Sequence, residues 1–389
     1  MTYRIQTLNN ISNRGLERLP KERYEVGTDV KSPDAIMLRS ADMHSLEIPS
    51  SVLAVGRAGA GTNNVPVANL SKRGVVVFNA PGANANAVKE LVLASLFLAA
   101  RNIPQAWNFA RQLSGDDKSI DEQTEKGKKN FVGFELPGRV LGVIGLGAIG
   151  VEVANSARAL GMKVLGYDPQ ITVQRAWQLS ADVEQAVSLE DLFARSDAVT
   201  VHVPLNDHTK ALVNAERLKL MKKGGIVLNF SRAGIVDDKA IVASLDAGHL
   251  HAYVNDFPKN SYKDNPRVVT LPHLGASTGE AEENCAIMVA DQLREFLEHG
   301  NIRNSVNFPE AVLPRVPNTT RISIANSNVP NMVGQISTCL ATAGINIADL
   351  LNKSRGEVAY TLIDTDDAVS EELIAKIRRI DGVLSARLV

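Results

Sequence analysis

Short runs of apolar and β-branched residues at 35–38, 52–55 and 74–78 alternate with stretches of helical spacing, the pattern of a small parallel α/β unit over residues 1–96. A helical pattern follows at 86–101. Its apolar run, 91–100, is bracketed by Lys89-Glu90 and Arg101 and is too short to cross a bilayer, so it reads as a buried helix. The polar stretch 114–129 carries too much charge for a core. A second series of strands then begins at 140–144 and continues at 163–168, 198–202, 225–229 and 267–271, with a further strand end at 254–256. The helical pattern 279–299 is placed to carry the chain back to the first unit.

Three prolines, Pro309, Pro314 and Pro317, mark 307–318 as a linker. Beyond it, strand patterns at 321–324, 350–352, 358–363 and 383–388 and helical patterns at 332–343 and 371–380 give the order β-α-β-β-α-β of a ferredoxin-like split βαβ. About seventy residues suffice for a separate small domain. The expected division is a discontinuous, flavodoxin-like α/β unit at 1–96 and 285–310, a Rossmann-type domain at 97–284, and the ferredoxin-like domain at 318–389. No internal repeat or low-complexity tract is evident.

A length of 389 residues agrees with two or three cores. Forty-two basic and 43 acidic side chains leave a net charge of −1, which offers no electrostatic footprint for nucleic acid or an anionic membrane. The two cysteines, Cys285 and Cys339, are far apart and no apolar leader precedes the polar stretch 7–14. A cytoplasmic location, without a disulfide framework or metal set, is expected.

Within the second series, residues 140–150 read VLGVIGLGAIG, a strand running into Gly145, Gly147 and Gly150. A dinucleotide fingerprint uses its first glycine for a tight turn, its second for close approach of the pyrophosphate and its third for helix–strand packing. The phosphates rest on the free N–H groups of the helix that starts there. Asp168 ends the next strand about twenty residues on, where an acid accepts hydrogen bonds from the ribose hydroxyls and repels a 2′-phosphate. NAD rather than NADP is the expected cofactor.

Ligands of such sheets bind at the carboxyl edge. The strand ends there carry His202-Val-Pro204, Asn229-Phe-Ser-Arg232, Val254-Asn-Asp256 and Pro272-His273. An arginine directly after an apolar strand is costly to bury unless it meets an anion, and its planar fork suits a carboxylate; a structural ion pair is the alternative. His273 is suited to take a hydroxyl proton while hydride leaves the carbon, against the plainer reading of an ordinary polar residue.

Several stretches carry a more specific likeness: VGRAGAGTNNV at 55–65, RGVVVFNAPG at 73–82, GVIGLGAIG at 142–150, HVPL at 202–205, NFSR at 229–232 and PHLGAST at 272–278. With them the chain resembles the D-2-hydroxyacid dehydrogenases, and within that family the phosphoglycerate-oxidising branch with a C-terminal ACT domain. The resemblance implies that Arg232 binds and polarises the carboxylate and carbonyl of a 2-oxo acid and that His273 is the acid/base. It also implies that Ala148, Ile149, Phe230, Ser231, Asp256, Gly275 and Ala276 line the NAD site with the residues above. The first unit becomes the substrate domain, with the active site in a cleft between domains. Arg39 and Arg57 match positions that hold the anionic substrate, and Gly59 is placed to present a backbone N–H beside them.

The implied reaction is NAD-dependent oxidation of D-3-phosphoglycerate to 3-phosphooxypyruvate, the entry to L-serine biosynthesis. A glyoxylate or hydroxypyruvate reductase, or a related D-2-hydroxyacid dehydrogenase, is the alternative within the family. An NAD-sensing, corepressor-like interaction protein is the alternative outside catalysis. One departure bears on mechanism: the family places a Glu before the catalytic His, and no Glu occurs from Val254 to Gly279. Either Asp264 reaches His273 or the imidazole works without a carboxylate partner. A carboxylate favours the protonated ring, so its absence leaves His273 a weaker base than in relatives. In the ACT-like region Asn328 and Asn346 match amides that grip an L-serine effector, while Asn326 and Asn331 stand where the family usually has His and Gly, so dimerisation without ligand control is the alternative. A homodimer through the nucleotide domains, or a homotetramer that also pairs the ACT domains, is implied.

Overall fold

Strands β1 Tyr3–Leu8, β2 Tyr24–Gly27, β3 Ala35–Leu38, β4 Ala54–Arg57 and β5 Val76–Phe78 form a parallel sheet in the order β2-β1-β3-β4-β5. This is the flavodoxin-like order. The computed structural model, which describes residues 2–389, shows why β3 and β5 read so clearly in the sequence: every residue of both is buried. The two strands that the apolar pattern did not reveal, β1 and β2, lie towards one edge, where only alternate or single side chains are buried. The long helix Gly279–His299 packs on this sheet, close enough at β4 that a Cβ on Gly56 would sit 2.4 Å from Val289.

The next seven strands are β6 Val140–Ile144, β7 Lys163–Tyr167, β8 Glu184–Gln185, β9 Ala198–Val201, β10 Gly225–Asn229, β11 Leu250–Asn255 and β12 Val268–Thr270. They form one parallel sheet ordered β12-β11-β10-β9-β6-β7-β8. Successive residues feed opposite cores: Val143, Leu228 and Val254 pack with the helices Ala85–Ala100 and Ala148–Ala159, while Ile144, Val227 and Tyr253 join the core on the other face. Coverage on both faces is what an all-parallel sheet requires. The strand order reverses between β6 and β9, and a crevice at the carboxyl ends of such a pair is where ligands of this architecture bind.

Strands β13 Thr320–Ser327, β14 Ile347–Arg355, β15 Val358–Thr365 and β16 Val383–Leu388 make an antiparallel sheet ordered β14-β15-β13-β16. With the helices Met332–Thr342 and Glu371–Arg378 this is the expected ferredoxin-like plan. Ile322, Ile324 and Ile363 face those helices. From the other face, Ala325, Tyr360 and Leu362 join the core of the first sheet together with Phe78, Phe296 and Phe308.

The chain therefore divides into two compact units, 1–84 with 279–389 and 85–278. The first break falls after Asn84 rather than after 96, because the helix Ala85–Ala100 buries Val88, Val92 and Leu96 against the second sheet. The second falls before Gly279 rather than after 284, so the long helix lies wholly in the first unit. The segment 307–318 is no free linker: Phe308, Ala311 and Leu313 are buried, and Ala311 bridges Ile302. Polar residues at 114–129 do stay outside the core, forming a helix Asp117–Gly127 in which only Gly127 is buried.

Candidate active site

In the unit 85–278, Gly145 leaves β6 at φ 89°, and a Cβ there would lie 2.6 Å from the His202 carbonyl oxygen. Glycine is the residue that tolerates both conditions. Around Gly147 a Cβ would meet nothing, so this side of the turn is open. A Cβ on Gly150 would come within 1.9 Å of the Gly145 carbonyl oxygen, so the helix carrying Ala148 and Ile149 lies directly against its strand. No side chain caps that helix, which leaves its first N–H groups for a ligand.

Asp168 follows β7 and faces the turn: Oδ2 accepts from Leu146 N at 2.8 Å and Oδ1 from Gln170 N at 2.9 Å. Gly145, Gly147, Asp168, His202 and Pro204 line a cleft of about 630 Å³. His202 Nε2 pairs with Thr200 Oγ1 at 2.9 Å, while its Nδ1 is buried without a hydrogen-bond partner. Burial pushes the imidazole down to about 3, so the ring is neutral at physiological pH. An open phosphate turn, an acid at the ribose position and an orphaned nitrogen on the cleft wall together fit a dinucleotide.

Beyond β10, the buried Asn229 shapes the next turn by donating from Nδ2 to the Arg232 carbonyl at 3.0 Å and accepting from Ser231 N at 3.2 Å. Ser231 Oγ ties the turn to the Val201 carbonyl at 2.8 Å, and Phe230 is buried beneath it. The Arg232 guanidinium is exposed and bonds only its own turn, through Nη1 to the Ser231 carbonyl; no carboxylate pairs with it among the described residues.

His273 adopts φ 58°, an uncommon backbone conformation for a residue with a Cβ. The turn is held by Asp256, which is 1% exposed and accepts from Leu274 N at 2.8 Å and Gly275 N at 2.7 Å. Both carboxylate oxygens of this expected cofactor ligand are thus engaged by the turn that presents His273, next to Ala276. The exposed imidazole meets the Phe257 ring edge-to-face, with centroids 5.3 Å apart. Asp264 is 82% exposed and pairs with Lys263 at the surface, at 2.6 Å.

A profile described as the NAD binding domain of D-isomer specific 2-hydroxyacid dehydrogenase matches residues 103–275, which include all of these turns. A Methanocaldococcus jannaschii protein named D-3-phosphoglycerate dehydrogenase is 34% identical over 388 residues, 94% of this chain and 71% of that protein. This chain belongs to the D-2-hydroxyacid dehydrogenase family. A Synechocystis relative of the same name is 38% identical over 285 residues, covering 71% of this chain and 49% of that protein, so the chain spans about half its length. The fold matches the NAD-bound 3-phosphoglycerate dehydrogenase of Entamoeba histolytica with a TM-score of 0.60 at 24% identity, over 79% of this chain and 99% of that one.

The second group of expected residues of this dehydrogenase lies in the other unit. Arg57 ends β4, and Arg39 comes one residue beyond Leu38, its register partner on β3. Two guanidinium groups therefore leave neighbouring strands at the carboxyl edge. Arg39 Nη1 lies 2.6 Å from Glu282 Oε1 on the first turn of the helix Gly279–His299. Gly59 is not the expected backbone donor, because its N–H is bonded to the Arg57 carbonyl at 2.8 Å. Its missing side chain makes room instead, since a Cβ there would sit 1.5 Å from Arg57 Nη1. Sequence reasoning missed Asn229 as the organiser of the arginine turn and Glu282 as the partner of Arg39. A polar residue ending a buried strand was the available signal for the first, and none existed for the second.

In the C-terminal module, Asn328 Nδ2 bonds the Gly356 carbonyl at 2.9 Å and Asn346 Nδ2 bonds Asp366 Oδ2 at 2.5 Å. Strand register places them at opposite ends of the sheet, Asn328 beyond the Ser327–Val358 pair and Asn346 before the Ile347–Thr365 pair. Asn326 is buried and bonds the Ser327 carbonyl, while Asn331 takes the left-handed conformation, φ 65°, that a glycine would adopt.

Proposed function

We propose that this dehydrogenase oxidises D-3-phosphoglycerate to 3-phosphooxypyruvate with NAD, the entry step to L-serine. The observation that carries the reading is the Arg39–Arg57 pair at adjacent strand ends, which suits a second anion on the substrate besides the carboxylate. A reductase of glyoxylate or hydroxypyruvate has no phosphate to occupy it. Arg232, with no carboxylate partner among the described residues, takes the substrate carboxylate and polarises the C2 oxygen. His273 accepts the C2 hydroxyl proton and returns it to water. NAD would supply the hydride acceptor for C2, and the turn at Gly145–Gly150 with Asp168 would hold its phosphates and ribose.

The C-terminal module is read as an ACT domain that binds L-serine. Since Asn328 and Asn346 lie at opposite sheet ends, a site using both requires a second copy of the chain. The edge strand β14 offers the pairing edge, and the exposed Trp107, Ile103 and Phe97 of the nucleotide unit offer an apolar face for a homodimer.

The test is NADH formation by the purified chain at alkaline pH. D-3-phosphoglycerate with NAD should turn over, while NADP and D-glycerate should be at least about tenfold poorer in kcat/KM, roughly the worth of one lost charge-assisted bond. Equal rates with D-glycerate would favour the reductase reading. Absence of any turnover with NAD binding intact would favour the interaction-protein reading. L-Serine added to the assay tests the ACT assignment directly.

A further inference from the structure

We infer that Glu282 is a built-in competitor for the substrate's phosphate, setting how strongly the Arg39–Arg57 pair takes a second anion. The inference rests on the phosphorylated substrate proposed above. Arg39 pairs with Glu282 from the first turn of the helix Gly279–His299, Arg57 ends the strand adjacent to that of Arg39, and all three act on one buried thiol, Cys285. One turn further along, the Cys285 thiol feels them all. Burial raises its pKa, Arg57 and Arg39 act to lower it, and Glu282 acts to raise it.

Without Glu282, the Arg39 guanidinium would meet the positive end of a 21-residue helix whose first turn keeps only Glu280 as an acid, with Arg57 on the adjacent strand. That arrangement would bind inorganic phosphate or any small dianion as readily as the phosphate end of a substrate. The 2.6 Å pair with Glu282 removes one positive charge and holds the Arg39 side chain in place. An arriving phosphate must displace the Glu282 carboxylate from Arg39, so part of its binding energy is spent on that exchange. Both partners are partly exposed, 36% for Arg39 and 43% for Glu282, so water solvates the released carboxylate and the exchange is easily reversed. Glu282 thus acts through Arg39 and is a specificity-determining residue rather than a catalytic one.

The experiment compares the full chain with Glu282→Gln and Arg39→Met variants and with the double variant, at low ionic strength. Two readouts are taken: KM for D-3-phosphoglycerate and for D-glycerate, and the dissociation constant of inorganic phosphate measured by calorimetry. In Glu282→Gln, KM for the phosphorylated substrate and the phosphate dissociation constant should fall together by roughly two- to fivefold, the range of a partly exposed ion pair. KM for D-glycerate should stay put, and the change should vanish on the Arg39→Met background. A rise in phosphate dissociation constant, an equal fall for both substrates, or no change would overturn the inference. The calorimetric arm needs no turnover: if the wild-type chain does not oxidise D-3-phosphoglycerate, the substrate reading fails, whereas unchanged phosphate binding in Glu282→Gln sinks the competitor role alone.

Discussion

His273 is presented on a left-handed backbone, φ 58°, and held there by two N–H bonds to a carboxylate buried behind it. Its ring has an aromatic neighbour, Phe257. Asp264 is spent on Lys263 at the surface, so Asp264→Asn should leave the pH profile of kcat/KM where it is. A shift of the acidic limb to lower pH in that variant would show that Asp264 reaches the imidazole during turnover. Arg232 and His273 were legible as candidates because each sits directly after an apolar strand, a position that local pattern marks. The Arg39–Glu282 pair was not, because its members are remote in sequence and no local pattern joins them. Gly59 was legible as special but misread: the glycine clears space for Arg57 and its N–H is already used.

At the scale of elements, the fingerprint could be read in full because each glycine answers to a separate local constraint. Gly150 has the tightest, since a Cβ there would sit 1.9 Å from the Gly145 carbonyl oxygen, a backbone atom on the strand side that cannot rotate away. Gly150→Ala should push the helix Ala148–Ala159 off β6, costing about 1–3 kcal/mol of stability as an overpacked contact does. The displaced N–H groups should also weaken NAD. A lower thermal midpoint accompanied by weaker NAD binding in titration would bear this out, whereas wild-type values for both would show that the turn yields freely. Gly147→Ala, with open space around its Cβ, separates the two effects: it should spare the fold and disturb only the bound dinucleotide. Elements went unread where burial is partial, as in β2, four residues long with one buried. A strand of that kind takes its definition from its neighbour rather than from its own sequence.

For the whole molecule, the order of strand and helix patterns in the C-terminal seventy residues pointed to the right plan but not to how it is attached. Prolines in 307–318 suggest a hinge, yet the module is fastened by a pair that no sequence pattern announces. Arg321 and Asp364 are both fully buried, joined by two bonds of 2.6 Å. The same guanidinium donates to the carbonyls of His299 and Leu313, and Tyr360 donates to that of Gly300. The end of the long helix, the segment 307–318 and the antiparallel sheet are therefore closed by one buried network, and the first parallel sheet shares its core with Tyr360 and Leu362. Removing one partner of a buried pair strands a charge and costs about 3–5 kcal/mol, while replacing both with apolar groups of similar volume is often neutral. Asp364→Asn should accordingly lower the midpoint of the entire first unit, because a shared core unfolds as one. The double variant Arg321→Met with Asp364→Leu should recover most of the loss. A separate early transition for the last seventy residues, with the first sheet melting at its wild-type temperature, would show instead that the module is an independent domain on a tether.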